Sequence, residues 1–141
     1  MSQLKLMQSD DEIQQCFPVM AALRSHLAEH EFMSQFKRQQ VAGYQLLALL
    51  EHRDVMALAG FRVTENFAMG KFVYVDDLIT LEKYRSQGCG GLLLSWLLDF
   101  AMEQQCGQLH LDSSVHRHAA HRFYLKHRMD ITGYHFAISI A

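Results

Sequence analysis

Proline is almost missing from this 141-residue chain, with Pro18 its sole example, and no proline-rich linker divides it. Cysteine is scarce too. Cys16, Cys89 and Cys106 are odd in number, widely spaced and without a CxxC pair. A disulfide framework is thereby excluded, and free thiols in a reducing compartment are expected. Neither sign of charge dominates: 13 Lys and Arg face 15 Asp and Glu, for a formal charge of -2. A dedicated nucleic-acid surface would usually be basic as a whole or in a stripe, so nucleic acid is not an expected partner. Long apolar runs are missing as well. The longest, Gly90 to Met102, is interrupted by Ser95 and Asp99 and is too short to span a bilayer. The first residues, MSQLKLMQSDDEIQQ, lack the basic-then-apolar order of a secretory signal. These absences leave a soluble, cytoplasmic protein as the expectation, with no membrane partner.

What is present is an ordinary globular balance, half hydrophobic and a fifth charged, in a length suited to one domain over residues 1–141. LKLM alternates as a short edge strand. SDDEI offers Ser9 or Asp10 as a helix cap, with Pro18 interrupting or restarting a helix that runs to Leu27. Residues 29–40 form an amphipathic helix with Phe32 and Phe36 on one face. Three antiparallel strands follow over 45–52, 55–63 and 71–80. A helix over 89–105 is apolar on nearly every side and is expected to be buried. A strand near 109–113, a helix over 118–127 and one or two strands in ITGYHFAISI complete the chain. A strand-helix-strand step between 71–80 and 109–113 implies one parallel pair in an otherwise antiparallel sheet.

The passage RSQGCGG at 85–91, directly ahead of LLLSWLLDFAM, concentrates three glycines at a helix start. A helix start leaves about four N–H groups unpaired and carries roughly half a positive charge. Glycine lets a ligand approach that main chain, so a strand, glycine loop and helix together make a seat for phosphate. The P-loop pattern fails because no Gly-Lys-Ser/Thr closes the loop. The dinucleotide pattern GxGxxG fails because position 93 is Leu.

The order Arg85-x-x-Gly88-x-Gly90, within DDLITLEKYRSQGCGGLLLSWLLDFA, resembles the acyl-CoA signature of the GNAT superfamily of N-acetyltransferases. A second stretch, LHLDSSVHRHAAHRFYLKHR, strengthens the likeness. It is also similar to the subset carrying R-x-x-A-H-x-F-Y, which includes aminoalkylphosphonate acetyltransferases. The resemblance covers most of the chain. It implies a mixed α/β (α+β) fold with a six- to seven-stranded, mostly antiparallel sheet, a splayed parallel strand pair and about four helices. It implies acetyl-CoA as cosubstrate, with the main chain of Gln87, Gly88, Cys89, Gly90 and Gly91 holding the pyrophosphate. Arg85 and Ser86 line that turn, and Arg117 contributes to coenzyme binding. The backbone of Leu78, Ile79 and Thr80 would pair with the pantetheine arm by strand addition, the Leu78 amide facing the thioester oxygen. Tyr124 falls where the family keeps the acid that protonates the departing thiolate. Two departures stand out: Arg117 occupies a position often Asn, and Arg128-Met129 replaces the usual Gly-Phe.

An amine acceptor must lose its proton, since an alkylammonium of pKa about 10.4 is scarcely neutral at pH 7. Asp77 is the first candidate base. Asp76, its strand neighbour, is expected on the opposite face, and Asp112 and His110 are further candidates. His116, His118 and His121 read as surface or phosphate-contacting groups rather than a metal site. Cys89 reads as a small side chain filling the turn, although a helix N-terminus can lower a thiol pKa. The acceptor pocket is expected around Phe32, Met33 and Phe36, the KFVYVDD strand and the last strands. An excess of arginine and histidine there would suit an anionic acceptor. The expectation is an N-acetyltransferase acting on a small-molecule primary amine by direct attack in a ternary complex. A protein acetyltransferase, a non-catalytic acyl-CoA module and an unrelated nucleotide-binding protein are its rivals. The last strands have edge potential for a homodimer.

Overall fold

The computed structural model describes residues 2–141. Two compact units are distinguished, one ending at His110 and the other running from Leu111 to Ala141. The sheet has five strands in the order β1 (Ser2–Met7), β2 (Gln45–Glu51), β3 (Asp54–Asn66), β4 (Gly70–Thr80) and β5 (Gln108–Leu111). The first four are antiparallel neighbours, and β5 supplies the parallel pair with β4.

Leu46 to Leu50 are buried without alternation, the pattern of a strand covered on both faces. One face carries α1 (Asp10–Gln15), α2 (Phe17–Leu23) and α3 (Glu29–Val41). Ile13, Met20, Phe32 and Phe36 from these helices pack with Leu46, Ala48, Leu58 and Ile79. On β3 and β4 also sits α4 (Cys89–Glu103), whose Leu93 and Leu97 are fully buried. Phe61 meets the rings of Trp96 and Phe100 at 5.8 and 5.3 Å. The expectation of a wholly buried α4 is corrected: Leu92, Leu98 and Met102 are exposed, so only one side of the helix packs on the sheet.

Local chemistry accounts for the element ends. Ser9 caps α1, its Oγ accepting from the Glu12 amide at 3.2 Å, while Glu12 Oε1 accepts from the Ser9 amide at 3.0 Å and the Gln8 amide at 2.8 Å. Lys5 of β1 pairs with the same carboxylate and ties the first strand to the first helix. Pro18 lies in the first turn of α2, where its missing N–H would have had no helical partner, so it begins a second helix.

The register between β3 and β4 slips once. Gly60 faces Asp77, yet Phe61 faces Val75, which leaves Asp76 as an extra residue on β4. This is a β-bulge, and it redirects the side chains around it.

In the second unit, α5 spans His118–Lys126. The strands expected in ITGYHFAISI are not formed: residues 129–141 carry neither helix nor strand, and Tyr134, Phe136, Ile138 and Ile140 are exposed. Apolar alternation marks a segment capable of being a strand, but a strand also needs a neighbour that takes its N–H and C=O groups. Five strands and five α-helices are therefore found among the described residues, against six or seven strands and about four helices expected.

Replacing Ser9 by Ala should lower stability by about 1 kcal/mol through loss of the cap, read from urea midpoints. Lys5 and the two amides pull the Glu12 carboxyl down from 4.5 to about 2. The native state therefore binds this proton less readily than the unfolded chain. The stabilisation is complete above pH 4.5 and is lost as pH falls through about 2. Glu12→Gln should flatten the acid limb of the stability curve in that window.

Candidate active site

Between β4 and α4 the chain makes a single 3-10 turn at Glu82–Tyr84 and then the glycine loop. Gly88 is the N-cap of α4 at φ 83°, in the left-handed region, with no side chain capping the helix. Ser86 shares the left-handed region at φ 64°. Arg85, Ser86, Gln87 and Gly88 are exposed, and a Cβ built on Gly88 meets nothing within 4 Å. The turn is thus open at Gly88. Arg85 Nε donates to the Thr80 carbonyl at 3.2 Å and Gln87 Nε2 to the Lys83 carbonyl at 3.4 Å, bracing the loop against the end of β4. Cys89 is buried with Sγ 3.6 Å from the Tyr84 carbonyl, and burial pushes its thiol up. A lowered, reactive thiol at this helix start is not what the structure holds; Cys89 fills the turn.

Leu78, Ile79 and Thr80 lie at the end of β4 and pair with Ala59, Leu58 and Ala57 of β3. On the other side, β5 has four residues against eleven in β4. It is held at the start of β4, where the Gly107 amide donates to the Lys71 carbonyl at 2.9 Å and His110 lies 5.0 Å from the Phe72 ring. The strand ladder described for Leu78 to Thr80 is therefore the one on the β3 side.

Beneath α2 and α3 is a cavity of about 460 Å³, a volume typical of small-molecule sites. Phe32 and Phe36 line it as expected, together with Asp77, but Met33 packs into the neighbouring core instead. Asp76 lines the same cavity. The expectation that it faces the other way is corrected, because the bulge interrupts the alternation that separates adjacent strand residues.

The two carboxylates are held differently. Asp77 Oδ2 accepts from the Tyr44 hydroxyl at 2.6 Å, and Oδ1 from Arg24 Nε at 3.0 Å. Arg24 Nη2 also donates to the Asp76 carbonyl at 2.8 Å. Asp76 takes a two-point contact from Arg62, with Nε and Nη2 at 3.1 and 3.2 Å from its oxygens. Burial nevertheless pushes the Asp76 carboxyl up, outweighing the pull of Arg62. Tyr44 is buried, and desolvation, with Asp77 beside it, pushes its phenol well above 10. Gly60 makes this arrangement fit. A Cβ there would overlap the Tyr44 hydroxyl and come within 2.7 Å of Asp77 Oδ2.

Sequence reasoning singled out Asp77 but not Arg24, Tyr44 and Arg62, which line the same cavity. The available signals were the Asp-Asp pair and a glycine inside a strand, which often marks a bulge or a close approach. Of the remaining candidates, Arg117 is the N-cap of α5 and Tyr124 lies in α5, its ring 5.7 Å from Phe123. Both belong to the second unit. His121 Nε2 lies 2.8 Å from the Ser114 carbonyl, and Asp112 pairs with His135 at 3.6 Å. Among the described residues no group of three His, Cys, Asp or Glu side chains is placed to hold a metal ion, and no helix is long and apolar enough to cross a membrane.

A mixed sheet with helices on both faces, and a glycine turn between β4 and α4, defines an α/β class of protein. Residues 9–128 match the Acetyltransferase (GNAT) family, and the chain belongs to that family. An uncharacterized N-acetyltransferase, YhdJ, from Bacillus subtilis (strain 168) is 31% identical over 125 residues, covering 88% of each chain. The fold is similar to a structure described as a transcriptional regulator from Bacillus halodurans C-125, at TM-score 0.87 and 16% identity over 99% of this chain and 100% of that one. It is also similar to AAC(6')-Iy in complex with the bisubstrate analogue CoA-S-monomethyl-acetylneamine, at TM-score 0.86 and 9% identity over 100% and 99%. The protein is thus a GNAT-type N-acetyltransferase.

Tyr44 should stay un-ionised in the native protein through the pH range where ordinary tyrosines titrate, releasing its proton only on unfolding. Tyr44→Phe should therefore leave the native chain's phenolate absorbance at alkaline pH unchanged while lowering that of the unfolded chain by one residue. Gly60→Ala should displace the phenol and let Tyr44 ionise in the native protein.

Proposed function

We propose that this single catalytic domain, residues 1–141, transfers an acetyl group from acetyl-CoA to the primary amine of a small molecule bound in the cavity of Asp76 and Asp77. The observation that carries the proposal is a small-molecule-sized cavity with a positioned carboxylate pair in a chain of the N-acetyltransferase family. The glycine turn fits the coenzyme. Residues 85–88 are exposed, the helix is uncapped by any side chain, and Gly88 presents no Cβ to an incoming diphosphate. In this reading Gln87 to Gly91 hold the pyrophosphate, Arg85 and Ser86 shape the turn, and Arg117 assists. Leu78, Ile79 and Thr80 lend backbone groups to the pantetheine arm.

The amine nitrogen attacks the acetyl carbonyl directly. A C–N bond forms, the C–S bond breaks, and the ammonium proton passes to Asp77 or to water beside it. Both Asp77 oxygens are already held by Tyr44 and Arg24, which fixes the carboxylate in one orientation. Tyr124 returns a proton to the leaving thiolate, a role that rests on the family resemblance and on the match of a phenol near pKa 10 to a thiol near about 8.5. Cys89 is buried and its thiol is pushed up by burial, which argues against a covalent acetyl-enzyme route. A cavity bounded by α2 and α3 favours small amines over protein segments. Three free cysteines fit a reducing, cytoplasmic setting, and the exposed apolar residues at 134–140 fit pairing across a homodimer.

A thiol-release assay across amines, polyamines, amino acids, aminophosphonates and peptides tests the proposal; release with none of them would end it. Tyr124→Phe should lower kcat by roughly 10²-fold or more with acetyl-CoA affinity near normal. Gly88→Val should weaken coenzyme binding, measured by calorimetry. The cause is a β-branched residue forced to φ 83°, not a clash inside the turn, where the space is open.

A further inference from the structure

The cavity's fixed charges come in matched pairs. Two carboxylates, Asp76 and Asp77, face two guanidinium groups, Arg62 and Arg24, each within hydrogen-bonding distance of its partner. A pocket built for a simple polyamine would hold carboxylates without such partners. Here a bare cation would bring a third positive charge beside two guanidiniums, and a bare anion would meet two carboxylates. A molecule carrying both charges adds no net charge and has a partner for each end.

Spare capacity on the guanidiniums points the same way. Each has five N–H donors, and the contacts described use two of them on each residue. The Arg24 and Arg62 side chains remain 43% and 42% exposed, and both line the cavity, Arg62 with its guanidinium 5.4 Å over the Tyr74 ring. His26 lines the same cavity and adds a further group suited to an anion.

We infer that the acceptor is a small zwitterion. Its amine sits against Asp76 and Asp77, and its acidic group, a carboxylate or a phosphorus oxyacid, is held by the outer N–H groups of Arg62 and Arg24. This inference rests on the acetyl-transfer reading of the same cavity. Arg62 is the specificity-determining residue. Arg24 is shared with the orientation of Asp77, so its loss would affect every amine.

The test compares matched acceptors with the intact protein and acetyl-CoA: amino acids against their methyl esters, aminoalkylphosphonates against their dialkyl esters, and diamines of equal length. Thiol release gives kcat/KM, and calorimetry on the CoA-saturated protein gives affinity. The zwitterion should exceed its ester and the diamine by about tenfold or more in kcat/KM. The carboxylate and phosphonate arms decide which acid is preferred. Arg62→Gln should raise KM for the zwitterion by about tenfold more than for its ester, and Arg62→Lys should restore part of the preference. Equal or better use of the ester or diamine would overturn the inference and leave acetyl transfer standing. So would an equal loss for zwitterion and ester in Arg62→Gln. Absence of thiol release with every amine would instead overturn the acetyl-transfer reading. In that event tighter binding of the zwitterion than the diamine by calorimetry would still support the charge pairing, and indifference would overturn it.

Discussion

The candidate acceptor cavity depends on one residue too many in β4. Opposite Gly60 and Phe61, the strand fits Asp77 and Val75 into the ladder and leaves Asp76 over. Without that slip, adjacent residues would point to opposite faces of the sheet and only one carboxylate would reach the cavity. With it, both do, and the burial of two acids must be compensated locally. Arg62 reaches Asp76 from β3, Arg24 reaches Asp77 from the end of α2, and Tyr44 donates to Asp77 from the residue before β2. Three elements distant in sequence are thus tied to one bulge. Gly60 completes the constraint, since the Tyr44 hydroxyl occupies the space that any larger residue there would need.

The two acids are not equivalent. Asp77 accepts a hydrogen bond on each oxygen, from a phenol that is itself buried and reluctant to ionise, so that donor persists across the working pH range. The Asp76 carboxylate accepts from Arg62 alone, and its burial pushes its carboxyl up from the ordinary value. Neighbouring carboxyls in contrasting environments are a common arrangement where one group must orient and another must exchange protons. Under the acetyl-transfer reading, Asp77 takes the proton from a fixed position, Asp76 with Arg62 helps to orient the acceptor, and an amine between them would meet both.

Much of the fold was legible because local chemistry and packing agree there. Ser9 and Glu12 mark the first helix, Pro18 the second, and the alternation or full burial of β2 to β4 follows from helices on both faces. The glycine loop was legible for the same reason, since Gly88 in the left-handed region leaves a trace in residue type. The bulge was not, because a one-residue slip depends on how β3 and β4 meet and changes no residue's local preference. Arg24, Tyr44 and Arg62 were hidden by distance: they lie 53, 33 and 14 residues from their aspartate partners. The last strands failed in the opposite way. Tyr134, Phe136, Ile138 and Ile140 alternate as a strand should, but pairing is a property of two segments and the pattern reports only one.

The two halves of the proposed chemistry follow different physical rules. The glycine turn relies on backbone amides, which any sequence supplies once the path is fixed, so its side chains need only stay out of the way; Gly88 does so, and Cys89 turns inward. Such a seat suits a ligand part that never varies, such as a diphosphate. The cavity relies on side chains in a fixed mutual arrangement, where exchanging Arg62 or Tyr44 alters charge or hydrogen bonding without touching the main-chain path. A fold that separates these two kinds of recognition can keep its coenzyme while its acceptor changes. Under the acetyl-transfer reading, charge pairing around Asp76 and Asp77 is accordingly where acceptor specificity would reside.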